Sequence, residues 1–179
     1  MKRCEIERVD QMKEFLESKV DFLINERIRK IENLYFSNAG NIQNDLETAL
    51  KKLVSDRGSG KLVLSYLRSS YLLDNYEFYL AYYEGEIFVE EEPDCIYFDM
   101  QSGFSGIDED LLELDESFHG KFVRVTMGEK EEIHKWYIEQ IYKQLCHIVE
   151  AAVERIEAEK KTEIYYGGYM DEVKLVGKI

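Results

Sequence analysis

The sequence predicts an α+β fold in which an antiparallel β-sheet, a meander, packs against two long amphipathic helices and one shorter helix. Apolar residues recur at spacings of three and four in two long stretches, one near each end of the chain, which is typical of helices that bury one face. Between them lies a stretch rich in tyrosine, leucine, valine and phenylalanine and interrupted by turn residues, which is typical of strands. The 179 residues suit a single domain.

Two helices are predicted in the N-terminal part of the chain. Residues 5–37 form the first helix, and its apolar stripe consists of Val9, Met12, Leu16, Val20, Leu23, Ile24, Ile28, Ile31 and Tyr35. Residues 43–56 form the second helix, with a stripe of three leucines and a valine. Charged residues occupy most other positions, so each helix is expected to bury one face and to expose the other.

Strands are predicted next, at residues 61–70, 76–83, 86–91, 95–99 and 121–127. Glycine allows the positive φ that a tight hairpin needs, so Glu84-Gly85 predicts a hairpin between the second and third of these strands. Pro93 has no amide hydrogen to donate to a sheet, and it is therefore expected to separate the third strand from the fourth.

The C-terminal part is predicted to contain a short helix, a long helix and a hairpin. The short helix covers residues 107–117, and the long helix covers residues 129–160, with a stripe of Ile133, Tyr137, Ile141, Leu145, Ile148, Ala152 and Ile156. Glu163–Tyr166 and Val173–Val176 form the hairpin. The chain contains no repeat and no low-complexity segment, so residues 1–179 are predicted as one domain. Its parts are residues 1–57 (helical), 61–127 (acidic, tyrosine-rich sheet), 129–160 (long helix) and 161–179 (hairpin).

The negative charge of the chain is concentrated in its middle third. The formal net charge is −14, from 23 basic and 37 acidic residues. No lysine or arginine occurs between Arg68 and Lys121, whereas residues 69–120 contain fifteen acidic residues. This segment is therefore expected to bind neither nucleic acid nor an anionic membrane, because both attract basic surfaces. It permits a basic protein partner, a cation or simple solubility.

Tyrosine is the second unusual feature of this segment. The chain contains thirteen tyrosines, and strand alternation puts Tyr79 and Tyr83 on one face of the sheet and Tyr76 and Tyr82 on the other. Tyrosine is enriched at interfaces, so a surface within residues 76–116 is predicted to bind a basic protein. Its predicted residues are Tyr79, Tyr82, Tyr83, Glu84, Glu86, Glu90, Glu91 and Glu92. The alternative stays open that the acids only confer solubility and that the tyrosines only reflect strand preference.

A metal-dependent hydrolase is the alternative function. Asp94, Asp99, Asp108 and His119 are its candidate catalytic residues, since converging carboxylates bind divalent cations. The acidic run lacks the glycine and the closing glutamate of a calcium loop, and the histidines lack the i, i+4 spacing of a helical zinc pair. The sequence therefore predicts no resident metal and no cofactor, and it favours an interaction or regulatory protein over an enzyme.

Two further expectations concern the surroundings of the protein. The first residues contain no apolar run, so no secretory signal is expected. The three cysteines are odd in number and far apart, which favours reduced thiols in the cytoplasm. A third functional alternative is a structural protein that forms a homo-oligomer through its two long helices.

Three short segments of the middle region carry a resemblance. They are Ser65-Tyr66-Leu67-Arg68-Ser69-Ser70, Tyr76-Glu77 and Glu90-Glu91-Glu92, and they resemble an uncharacterised protein family of Firmicute bacteria, some of whose members are labelled normocyte-binding. The resemblance covers about a third of the chain and includes no catalytic motif. It implies a bacterial, cytoplasmic protein and no particular activity.

Overall fold

The computed structural model describes residues 2–36, 42–54, 59–73, 75–89, 93–156 and 162–179, and its elements confirm the α+β class. In chain order they are helices α1 (Lys2–Phe36) and α2 (Ile42–Val54), strand β1 (Lys61–Tyr66), helix α3 (Ser70–Leu73), strands β2 (Glu77–Tyr83) and β3 (Asp94–Asp99), helices α4 (Ile107–Ser117), α5 (Met127–Gln144) and α6 (Cys146–Arg155), and strands β4 (Glu163–Gly168) and β5 (Val173–Lys178). A 3₁₀ helix, Gln101–Phe104, connects β3 to α4.

The sheet has five strands in the order β3-β2-β1-β4-β5. Its first three strands form the predicted antiparallel meander, with Leu64 opposite Leu80 and Tyr79 opposite Tyr97. Strand β4 joins β1 in parallel, and β5 pairs with β4 antiparallel. The sheet is therefore mostly antiparallel with one parallel pair, because the C-terminal hairpin adds to the far side of β1. Strand β1 ends at Tyr66, earlier than predicted, since a helix follows.

Helices cover one face of this sheet. Helix α2 lies against β2 and β3, and α6 lies against β4 and β5. Helix α1 contacts α5, α4 and α2, and its predicted stripe is buried from Met12 to Tyr35. With 35 residues, α1 is about 50 Å long, so its amphipathic face has room to pack on several helices at once. None of the described helices combines the length and the apolar character that crossing a membrane requires.

The long C-terminal helix predicted at residues 129–160 is two helices in the structure. Helix α5 ends at Gln144 and α6 begins at Cys146, with Leu145 between them. Helix α5 packs against α1, whereas α6 packs against the sheet. The apolar spacing of three and four continues through Leu145, so the pattern contains no sign of the break, and one stripe serves two packing partners.

Two predicted strands are wrong. Residues 86–89 form a bend and a turn in which Phe88 has a φ of 64°, and the antiparallel partner that follows β2 is β3 instead. Residues 121–125 form a turn and bends in which Arg124 has a φ of 57°. Extended strands require negative φ, so a left-handed residue in each segment is incompatible with a regular strand.

The sheet separates a large core from a small apolar cluster. The large core lies between the sheet and the helices. On the other face of the sheet, Val63, Ala81 and Tyr83 are buried. In the described part of the chain, the apolar residues packed around these three come from strands and from a loop rather than from a helix. We call this side of the sheet the open face.

Candidate functional site

The open face carries a continuous row of five aromatic rings. Tyr97 packs against Tyr79 with ring centroids 5.5 Å apart, and Tyr79 contacts Tyr169 at 5.3 Å. Tyr169 contacts Phe88 at 5.7 Å, and Phe88 contacts Tyr83 at 6.0 Å. We call these five residues the aromatic row. Its tilted and edge-to-face pairs add stabilisation beyond the burial of area, so the row is an ordered platform.

Strand alternation and two loops bring these rings together. Tyr79 and Tyr83 lie four residues apart in β2, so both side chains point to the open face. Tyr97 lies directly opposite Tyr79 in the neighbouring strand β3. Phe88 comes from the loop after β2, and Tyr169 comes from the turn between β4 and β5. The row therefore combines residues that are far apart along the chain.

The β4–β5 turn is tied to the end of β1. The amide of Tyr169 donates a hydrogen bond to the carbonyl oxygen of Tyr66 (3.1 Å). Within the turn, the amide of Asp171 donates to the carbonyl oxygen of Gly168 (3.1 Å), and Arg68 pairs with the carboxylate of Asp171. These contacts hold the ring of Tyr169 over the centre of the sheet.

Both loops beside the row contain a non-glycine residue in the left-handed region. Phe88 has a φ of 64° and Met170 has a φ of 59°. This conformation costs an L-residue about 1–2 kcal/mol, and it persists only where the surrounding structure holds it. Backbone strain of this kind is concentrated at binding and active sites. The two strained residues therefore draw attention to the same part of the surface.

Part of the row is accessible to a partner. Tyr97 exposes 60 % of its surface and Tyr169 exposes 44 %. Val89 and Met170 are exposed beside them and enlarge the apolar area, whereas Tyr83 is buried beneath Phe88. An exposed patch of aromatic and apolar side chains is typical of a surface that binds another molecule.

Acidic side chains surround the row at the β3 end of the sheet. Asp99 is exposed on the open face at the end of β3, and Glu84 and Glu86 are exposed in the loop after β2. Asp94, at the start of β3, is also exposed, but its side chain points to the other face. The ammonium group of Lys61 donates to a backbone carbonyl of that loop (3.1 Å), so one base lies close to it. Strand β3 contains two acids and no base. It is therefore more strongly acidic than the loop after β2.

The hydroxyl of Tyr79 is shielded within the row. Burial is the main cause that raises the pKa of this phenol above its ordinary value, and a hydrogen bond with the thiol of Cys95 raises it further. The phenol therefore stays neutral throughout the physiological pH range. The negative charge of this surface comes from its carboxylates and not from its tyrosines.

The predicted partner-binding residues do not all lie on one exposed surface. Tyr79 is half-buried within the row, and Glu84 and Glu86 are exposed beside it. Tyr82 points to the helix-covered face and is buried in the large core. The prediction of Tyr82 as a binding residue is therefore wrong. Tyr83 is on the open face but is covered. The last predicted residues, Glu90, Glu91 and Glu92, lie outside the described residues.

The acids of α4 do not belong to this surface. Arg27 of α1 donates two hydrogen bonds to Asp110 (2.6 and 2.9 Å). Two other acids of α4 also contact lysines, namely Glu113 with Lys19 and Asp115 with Lys130 (2.7 Å). The second half of the acidic surface predicted over residues 76–116 therefore lies on α4, which packs against α1, and bases of neighbouring helices compensate three of its six acids.

The structure does not bring the candidate catalytic residues together. Asp94 and Asp99 lie at opposite ends of β3, about 16 Å apart at about 3.3 Å per residue, and their side chains point to opposite faces. Asp108 lies in the first turn of α4, whereas His119 lies in the turn that follows the helix, about 16 Å away at about 1.5 Å per residue. Among the residues that the structure describes, no three histidine, cysteine, aspartate or glutamate side chains are arranged to hold a metal ion. This geometry lends no support to the hydrolase.

A cleft of about 440 Å³ lies beside α5, at the end of β1. Tyr66 lines it and stacks on Tyr142, with ring centroids 4.5 Å apart. Three of its four charged side chains are paired, since Lys135 contacts Glu132 (3.1 Å) and Arg68 contacts an aspartate of the β4–β5 turn; the fourth is Glu139. Groups that already compensate one another leave little driving force for a charged ligand, so the cleft does not identify a substrate.

Cys146 lines an adjoining cleft. Its thiol donates to the carboxylate of Glu150 (3.6 Å), and the ammonium group of Lys174 lies 3.9 Å from the sulfur. Burial is the main cause that raises the pKa of this thiol above its ordinary value, Glu150 raises it further, and Lys174 opposes both. Because the thiolate is the nucleophilic form, Cys146 is poorly suited to nucleophilic catalysis.

Sequence reasoning missed Tyr97, Tyr169 and Phe88. For Tyr97 the signal was present, because it alternates with Phe98 in a segment predicted as a strand and must lie on the same face as Cys95. For Tyr169 and Phe88 there was no local signal, because both reach the open face from loops. Comparisons of the chain with protein-family models, curated proteins and solved structures found no match.

Proposed function

We propose that this protein is an interaction protein, not an enzyme, and that it binds a basic protein partner through the open face of its sheet in the cytoplasm. The observation that carries this proposal is the aromatic row, whose exposed members Tyr97 and Tyr169 lie beside exposed carboxylates. Tyrosine, tryptophan and arginine are the residues that contribute most to binding energy at protein interfaces.

Two physical effects favour a basic partner. A lysine or arginine placed over the ring of a tyrosine gains about 0.5–2 kcal/mol from the cation–π interaction. The surrounding acids attract a basic surface before contact and raise the rate of association. Both effects are electrostatic, and the long-range attraction is screened by salt. Binding is therefore expected to weaken as the ionic strength rises.

Capture of partners followed by measurement of their affinity tests the proposal. The immobilised protein is exposed to a cell extract, bound proteins are released with increasing salt, and each one is identified, purified and titrated. We expect a basic partner whose Kd rises at least about tenfold in the Tyr97→Ala variant. Leu112→Ala is the matched control, because Leu112 is 60 % exposed on α4, away from the row. Acidic partners, or equal effects of the two substitutions, would contradict the proposal.

A second set of variants tests the role of charge. One triple variant neutralises exposed acids near the row, and the other neutralises the same number of exposed acids on α4. The first combines Glu84→Gln, Glu86→Gln and Asp99→Asn. The second combines Asp108→Asn, Glu109→Gln and Glu116→Gln. The first variant is expected to associate with the partner more slowly, and its association rate is expected to depend much less on salt. The second variant is expected to keep both the rate and the salt dependence of the unmodified protein. Identical association rates for the two variants would refute the assignment of the charged surface.

A further inference from the structure

We propose that the partner contributes an extended basic segment, which adds to the edge of β3 as a sixth strand. This inference rests on the proposed function and specifies how the partner binds. Strand β3 lies at one end of the strand order, so one side of its backbone faces away from β2. Addition of a strand to an exposed sheet edge is a recurrent mode of peptide recognition, in which backbone hydrogen bonds supply affinity.

The two edges of the sheet differ in how well they are protected. At the other edge, the β4–β5 pairing contains a register shift beside Ile164 and Tyr165, and β5 contains Lys174 and Lys178. Bulges and lysines are the devices by which natural proteins prevent strand addition. Strand β3 pairs with β2 over six consecutive residues without a shift, and four uncharged residues separate its terminal aspartates. The β3 edge is therefore the one open to another strand.

The side chains of β3 indicate which strand fits. A strand added at this edge places its own side chains about 5 Å from those of β3. On the open face they meet Cys95, Tyr97 and Asp99, all of which are exposed. A lysine or arginine there pairs with the carboxylate of Asp99 or lies over the ring of Tyr97. A partner segment in which basic and apolar residues alternate suits both faces of the sheet, because its basic side chains lie on the open face and its apolar side chains lie on the helix-covered face.

A second copy of this chain is a poor occupant of the same edge. Antiparallel pairing of two β3 strands brings Asp94 of each copy to the same end of the pair as Asp99 of the other, although the two side chains point to opposite faces. Each end of the pair then holds two carboxylates and no base, and like charges repel each other; the sequence adds Glu90, Glu91 and Glu92 just before this strand. Charge complementarity therefore selects a basic segment from a different protein.

Two peptides with the same side chains test strand addition. The first is a fluorescent nine-residue peptide of alternating lysine and valine. The second has the same sequence with N-methyl groups on its central residues, so that neither edge of the extended peptide has amide hydrogens to donate there. We expect the unmodified peptide to bind at least about tenfold more tightly in an anisotropy titration. We also expect slower amide hydrogen exchange in β3 on binding, with β5 unchanged as the internal control.

A matched pair of variants locates the binding edge. Tyr97→Lys and Leu175→Lys each place a lysine at an exposed position on the open face, one on β3 and the other on β5; Leu175 is 46 % exposed. We expect the peptide to bind at least about tenfold more weakly to Tyr97→Lys and equally well to Leu175→Lys. Equal binding of both peptides, still dependent on Tyr97, would overturn strand addition and leave the proposed function standing. If neither peptide binds, strand addition is wrong, and the capture experiment decides the proposed function independently.

Discussion

Arg27 shows how a single residue joins three helices. It exposes only 1 % of its surface, and its guanidinium group donates to Asp110 and to the carbonyl oxygens of Ser105 and Gly106. The hydroxyl of Tyr137 donates to the same carboxylate (2.7 Å). A buried charge is tolerated only when it is paired and hydrogen-bonded, and this network satisfies that requirement with groups from α1, the loop before α4, α4 and α5.

Removal of this guanidinium group is expected to be costly. Arg27→Ala leaves the carboxylate of Asp110 without its main partner, and breaking such a buried pair costs about 3–5 kcal/mol of unfolding free energy. Arg29→Ala is the matched control, because Arg29 is 66 % exposed and pairs with Glu26 (2.6 Å) on the surface, which contributes about 0.5 kcal/mol. Urea unfolding followed by circular dichroism measures both. Equal losses would show that the buried network is not what stabilises this region.

The position of Arg27 was readable from the sequence, but its partner was not. It lies three residues after Ile24 and four before Ile31, on the buried face of α1, where a charged residue needs compensation. Asp110 is 83 residues away along the chain. Nothing in the local pattern distinguishes it from the other acids of α4, so the pairing belongs to the tertiary structure.

At the scale of the elements, the start of α5 depends on one hydrogen-bonded unit. Thr126 caps the helix: its hydroxyl accepts from the amide of Glu129 (3.3 Å), and the Glu129 carboxylate accepts from the amide of Thr126 (2.7 Å). The same carboxylate contacts Arg8 of α1 (3.2 Å). The cap therefore also connects the two long helices. A threonine followed three residues later by glutamate is a capping box, and it predicts this helix start better than apolar spacing alone, which placed it at residue 129.

Substitution of the capping threonine tests this unit. Thr126→Ala is expected to lower the unfolding free energy by about 1 kcal/mol, since the first amides of α5 lose an acceptor. Thr48→Ala is the control, because Thr48 is exposed within α2, where alanine is the better helix former. It is expected to be neutral or slightly stabilising. Thermal unfolding of the two variants measures the difference, and a control as unstable as Thr126→Ala would rule out the cap as the cause.

At the scale of the whole molecule, buried tyrosines link stability to alkaline pH. Burial is the main cause that raises the pKa of Tyr137, Tyr142 and Tyr166 above the ordinary value, and it raises the pKa of Tyr35 to about 12. An unfolded chain releases these protons near pH 10. Because the folded-state pKa is the higher one, the stabilisation is fully present below about pH 10 and is lost as the pH rises through the folded-state values.

A pH titration checks this linkage. We expect the ultraviolet absorbance of phenolate to rise in two stages, first as accessible tyrosines ionise and then steeply as the protein unfolds above about pH 11. Far-ultraviolet circular dichroism is expected to change only in the second stage. The chain in urea serves as the control and should titrate in one stage near pH 10. Ionisation of all tyrosines near pH 10 with the helices intact would contradict the burial that the fold implies.

The sequence by itself determined the α+β class, the meander and the buried face of each long helix, because apolar periodicity reflects the burial of one side of one element. Only the tertiary structure decided which acids are paired, since the bases that compensate three acids of α4 come from other helices. It likewise decided that β4 lies beside β1 and that two loops complete the aromatic row. These outcomes depend on how separate elements pack together, and no local spacing of residues specifies that packing.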